Sequence, residues 1–214
     1  MGRMSSDWDC YVIIATGSVV DAYLSKMADG SLDMGVMTLD EFRQYAAPGT
    51  AAAWDAYAFA HVRVDHDGLD GEITRIAAGK EFLPEQIARN IAATSLDAYI
   101  NATIRSSKSR RDGLIQAAAL DAAEAVAPAL ETLFALDGRV RPYNRYLGWE
   151  IERHPPEAWA TPSEMEALVA AAAAGHPTAG QSLFAMIESA ARGGGLGSVV
   201  DAWEEEALAL VRNR

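Results

Sequence analysis

The sequence predicts an α+β protein: a small mixed β-sheet region over residues 1–80, then an all-helical region over 81–214. Short apolar runs rich in Val, Ile and Met, bounded by Asp, Gly and Ser, lie in the first 80 residues. After Pro84 no strand-like run appears, and Ala-rich segments with helical periodicity fill the chain. Breakers separate these segments at Asp112-Gly113, Asp137-Gly138, His154-Pro155-Pro156, Gly175-His176-Pro177 and Gly193 to Gly197.

Residues 10–15 read as a buried strand, and Ser18 caps a helix running to Met27 that Asp29-Gly30 ends. Residues 32–37 form a second strand. Thr38-Leu39-Asp40-Glu41 has the spacing of a capping box and opens a helix that stops by Pro48-Gly49. A helical stretch is expected over 51–57, a third strand over 59–64, a turn over 65–68 and a helix over 69–78. The later helices are expected at 84–111, 114–136, 142–153, 163–174, 178–192 and 198–212. Pro84 suits a first helical position, whereas Pro128 should kink or split its helix.

Half of the 214 residues are hydrophobic, enough to bury a core. The formal charge of −12 repels a phosphate backbone, which argues against nucleic acid as a partner. It attracts a cationic small molecule, or it serves only solubility. Cys10 is the sole cysteine, so no internal disulfide forms, and it reads as a small buried residue. No apolar run approaches the ~18 residues of a membrane span, and the N-terminus lacks a signal-peptide pattern. These features predict a cytoplasmic protein with no membrane partner.

The most informative residues are three early carboxylates, Asp7, Asp9 and Asp33. Side chains alternate along a strand, so Asp7 and Asp9 share a face if the strand begins there. If Asp33 opens a neighbouring strand, three like charges converge, which is costly unless a cation neutralises them. Clustered carboxylates of this kind suit Mg²⁺ and a phosphate substrate. The structural alternative is that Asp7 and Asp9 only form a turn before a strand.

An Asp-x-Asp entering an apolar strand, a helix, and another Asp at the start of the next apolar run resemble the nucleotidyltransferase superfamily. Met1-Gly2-Arg3-Met4-Ser5-Ser6-Asp7-Trp8-Asp9 looks like the end of its signature, and Asp33 matches its third carboxylate. Tyr99-Ile100-Asn101, Arg105-Ser106-Ser107-Lys108, Arg111-Asp112-Gly113 and Arg141 to Leu147 resemble the helical domain of antibiotic-type, small-molecule members. The resemblance implies transfer of a nucleotidyl group from a nucleoside triphosphate, ATP first among them, to a hydroxyl of a small molecule, with release of pyrophosphate. It assigns Asp7, Asp9 and Asp33 to Mg²⁺, with Asp33 completing the site or positioning a second metal. The family's Gly-Ser turn and first strand fall ahead of Met1, so a longer natural chain is expected, and the sequence as given should carry an unpaired sheet edge and be inactive if that turn is essential. The rival expectation is a non-catalytic nucleotide-binding or regulatory protein that kept the fold.

Asp97, Asn101, Arg105, Lys108 and Asp112 form a polar stripe at helical spacing. On the functional reading Asp97 is the base that accepts the acceptor's proton, and Arg105 and Lys108 contact phosphate. Tyr99 and Asn101 then belong to the substrate site. Asp121 and Glu124, in an apolar stretch, bind a substrate amine, or Glu124 is the base in place of Asp97. The structural alternative is a solvated face with pairs such as Lys108–Asp112, and Asp121 and Glu124 fastened to Arg105, Arg110 or Arg145. The acceptor and the oligomeric state stay open, a homodimer included. His61, His66, His154 and His176 lack zinc spacing. Gly193 to Gly197 lacks the strand and Lys of a phosphate loop. Tyr143 and Trp149 read as packing residues or pocket lining, and Glu204 to Glu206 as a solvated face.

Overall fold

The computed structural model describes residues 9–15, 33–48, 50, 57–156 and 162–212. Within them the protein is α+β: a two-stranded parallel sheet and otherwise helices. The chain divides into two compact units, Met1–Glu81 and Phe82–Arg214. The expected helix at 18–27, and residues 51–56 of the one expected over 51–57, lie outside the described residues.

In the first unit β1 (Asp9–Ile14) pairs in parallel with β2 (Asp33–Thr38), with Asp9 opposite Asp33 and Ile14 opposite Thr38. Gly35 faces Tyr11 in the register, and a Cβ added to Gly35 would meet the Tyr11 ring at 3.0 Å. The missing side chain is thus what lets the ring cover the strand. β2 passes directly into α1 (Leu39–Gln44) through the expected capping box. The Glu41 amide donates to the Thr38 hydroxyl at 3.2 Å, and the Thr38 amide donates to the Glu41 carboxylate at 2.7 Å. That second bond holds the Glu41 pKa below its ordinary value.

Residues 59–64 do not form the expected strand. Turn hydrogen bonds, Ala60 N to Tyr57 O and Val62 N to Phe59 O, satisfy the backbone locally. Phe59 is buried while Val62 and Arg63 face solvent, so the loose alternation marks one anchor, not a pleated face. The next helix, α2 (Glu72–Glu81), starts later than expected. The Asp67 carboxylate accepts from the Leu69 and Thr74 amides at 3.0 and 2.9 Å, and Asp70 and Gly71 take positive φ before the helix begins. The Thr74 amide is the largest of the influences that lower the Asp67 pKa.

The second unit is built on a hairpin of α3 (Glu85–Arg111) and α4 (Ile115–Leu136). Gly113, at φ +79°, closes α3, with Leu114 N bonding back to Ser109 O at 2.8 Å. α4 runs continuously through Pro128 instead of splitting there, held by the buried Ala129, Leu130, Leu133 and Phe134 that follow it. A short 3₁₀ turn (Asn144–Tyr146) leads into α5 (Leu147–Arg153), then α6 (Pro162–Ala173) and α7 (Pro177–Gly193). Leu96, Ile100, Leu130, Leu133, Phe134, Phe184 and Ile187 form the centre of the core, and the Tyr99 ring stacks on Phe184 at 5.9 Å. The expected helix over 198–212 is two short ones, α8 (Gly197–Asp201) and α9 (Glu205–Ala209). The break falls where the Trp203 indole donates to Asp97 of α3 at 3.0 Å. Arg212 then clasps Glu188 of α7 through two hydrogen bonds of 3.0 and 2.7 Å, which lowers the Glu188 pKa. Among the described residues no helix is long and apolar enough to cross a membrane.

In the first unit Lys80 is 2% exposed. Its ammonium donates to the carbonyls of Tyr45 and Arg43 and stands over the Phe42 and Phe59 rings at 5.1 and 5.6 Å. Burial lowers its pKa from the ordinary 10.5, because desolvation penalises the charged form. The unfolded chain therefore holds this proton more tightly than the folded one. The group costs stability below the lowered folded pKa, and stability recovers as pH rises from there to about 10.5. Denaturant midpoints measured as pH rises toward 10.5 should climb in the parent relative to Lys80→Met. Parallel profiles would show that the buried ammonium titrates normally.

Candidate functional site

The strand pair places two of the three early acids. Asp9 and Asp33 are the first residues of β1 and β2 and occupy paired positions in the parallel register. Asp7 lies outside the described residues. Among the described residues, no group of three or more His, Cys, Asp or Glu is gathered as a metal site. Cys10 is a half-buried free thiol.

The helical candidates sit in the second unit, on α3 and α4. Arg105 turns to α4, where its guanidinium meets Asp121 at 2.9 Å and Glu124 at 2.6 Å. This is the fastening arrangement, with Arg105 as the partner of both acids. Arg110, another of the three cations weighed for that role, instead donates to the Gly175 carbonyl at 2.6 Å. Asp97 is exposed, and its Oδ1 accepts the Trp203 indole. Asn101 and Lys108 are exposed on the same side of α3. Asp112 pairs with Arg111 at 2.9 Å and not with Lys108. That pair raises the Arg111 pKa and lowers that of Asp112.

Tyr99 differs from its neighbours on the stripe. It is 2% exposed, and its hydroxyl has no hydrogen-bond partner. Burial raises the phenol pKa strongly. The Thr103 hydroxyl lies near enough to temper that rise, but it donates to the Tyr99 carbonyl at 2.8 Å. Tyr99 lines a cavity of about 310 Å³ together with Thr103, Ser107 and Arg110 of α3, Val126 of α4 and Leu183 of α7. Sequence reasoning missed this second stripe. Positions 99, 103, 106, 107 and 110 recur at helical spacing, and small hydroxyl residues among apolar ones were the available signal.

No family model, curated protein or solved structure matches the chain.

Arg105 is half exposed and Glu124 more so, hence solvent screens their pairing and the brace is worth under ~1 kcal/mol. Arg105→Met should therefore lower unfolding free energy by less than ~1 kcal/mol, with the difference shrinking in high salt. A salt-independent loss well above that would mean that Arg105 acts through packing of its stem.

Proposed function

We propose that this protein transfers a nucleotidyl group from a nucleoside triphosphate to a hydroxyl of a small molecule, with Mg²⁺ held by Asp7, Asp9 and Asp33. The observation that carries the reading is the register of the parallel pair, with Asp9 and Asp33 opposite one another at the strand starts. Two acids repeated at the same end of adjacent strands serve no evident structural purpose, since like charges directly across a sheet destabilise it. A bound cation removes that penalty.

The donor set fits the ion, because carboxylate oxygen is the hard ligand that Mg²⁺ takes. When bound, Mg²⁺ neutralises charge on the triphosphate and on the pyrophosphate that departs. The acceptor's hydroxyl oxygen forms the new bond to the α-phosphorus as the bond to pyrophosphate breaks. Asp97 takes the hydroxyl proton on this reading. Its Oδ1 is oriented by the Trp203 indole, whereas Glu124 is already engaged by Arg105. Lys108 is preferred to Arg105 as the phosphate contact, because two acids already neutralise Arg105. Tyr99, Asn101 and Asp121 remain the candidates for the acceptor's surroundings, Asp121 for a cationic one.

Titration calorimetry with ATP tests the metal role. Binding should depend on Mg²⁺ and weaken about tenfold or more in Asp33→Asn. Binding that ignores Mg²⁺, or no binding, contradicts the assignment, and Mg²⁺-dependent binding without transfer to any hydroxylated acceptor selects the regulatory alternative. For the base, Asp97→Asn should cut kcat about 100-fold or more while the KM for ATP stays within about threefold. Equal loss in both, or no loss, removes Asp97 from that role.

A further inference from the structure

We propose that the cavity inside the helical unit binds a small amphipathic carboxylate through Arg110. The site lies wholly in the second unit, along α3, α4 and the start of α7, closed by Leu210 and Val211 near the chain end. The inference does not rest on nucleotidyl transfer.

Size sets the first limit. About 310 Å³ is roughly twice the ~150 Å³ cavity that accommodates a benzene ring. One ring with a short chain fills it. The walls are apolar at Val126 and Leu183, so the body of the ligand is apolar as well.

The polar groups define the rest. The Tyr99 hydroxyl is buried out of reach of a water-sized group, so Arg110 is the charged group that the cavity offers a ligand. Arg110 is held in place by its hydrogen bond to the Gly175 carbonyl, and Gly175 itself, at φ +79°, ends the turn after α6. No carboxylate pairs with Arg110 among the described residues, so the remaining guanidinium N–H groups keep the planar fork that matches a carboxylate. The lining contains Arg111 and His176 and no Asp or Glu. In a chain of formal charge −12 this is a local reversal of sign. Arg110 also offsets the negative end of the α3 dipole, which alone would disfavour an anion, whereas Arg111 is paired with Asp112. Arg110 borders the cavity beside apolar walls, so the ligand's acid lies toward Arg110 and its apolar body toward Val126 and Leu183.

Calorimetric titration of the whole chain with 3-(4-hydroxyphenyl)propanoate and with its primary amide tests the proposal. The acid should bind once per chain, with a Kd between about 10 µM and 1 mM for so small a ligand. The amide should bind about tenfold or more weakly, having lost its charge at Arg110. Arg110→Lys keeps the charge without the fork and should lose part of the preference for acid over amide. Equal affinity for acid and amide, an unchanged preference for acid in Arg110→Lys, or no saturation by about 10 mM would each overturn the proposal.

Discussion

The close approach of α3 and α4 is the constraint on which the helical unit depends. Ala88, Ala92 and Ala102 on one helix and Ala118, Ala125 and Ala129 on the other are all nearly or fully buried. Small side chains along the seam let the two backbones come together, while larger ones beside it, Leu96, Ile100, Ile104, Leu130 and Leu133, extend toward the other helices. The Ser106 hydroxyl donates to the Ala118 carbonyl at 2.7 Å, a contact that only close helices allow. Each fully buried Leu, Ile or Phe is worth ~1.5–3 kcal/mol, against under ~1 kcal/mol for an exposed ion pair. Packing therefore holds the hairpin, and the Arg105 cluster with Asp121 and Glu124 fixes its register.

The same seam explains why α3 has two polar stripes with different fates. One, Asp97 to Lys108, faces outward and is used in part for bracing, through Trp203 and through the α4 acids. The other, Tyr99 to Arg110, turns toward α7, where the helices part and leave the cavity. In the first unit, by contrast, what holds the sheet is aromatic. Phe59 gathers Tyr11, Phe42 and Tyr45 at 5.6, 5.6 and 6.0 Å, and Tyr11 meets Tyr45 at 6.1 Å. Asp9 and Asp33 hold the first paired positions of the two strands.

Much of the fold was legible because local signals agree with tertiary structure. The Thr38–Glu41 capping box, the Gly113 stop and the Ala-rich periodicity of α3, α4 and α7 are properties of short stretches. The failures need partners distant in sequence. Trp203 breaks the C-terminal helix to reach Asp97, 106 residues earlier. Asp67 delays α2 through a loop geometry that hydropathy does not encode. Phe59 imitates a strand but anchors a turn. In the site, strands were legible at residues 10–15 and 32–37, whereas their parallel pairing with Asp9 opposite Asp33 came from the structure. The partner of Asp121 and Glu124 came from it too, since Arg105, Arg110 and Arg145 were equally placed by spacing. The cavity was invisible for a related reason: Thr103 and Ser107 read as ordinary helix polarity until α7 is seen beside them.

A chain of formal charge −12 admits a nucleoside triphosphate only where its negative charge is met. The account therefore stands on a cation shared by the acids at the starts of β1 and β2. Crystals grown with Mn²⁺ and a non-hydrolysable nucleoside triphosphate analogue test this most directly, by anomalous scattering. The account predicts an anomalous peak at roughly 2.0–2.4 Å from carboxylate oxygens of both Asp9 and Asp33, bridged to the phosphates. A peak that contacts neither residue, or nucleotide bound elsewhere without metal, would contradict it.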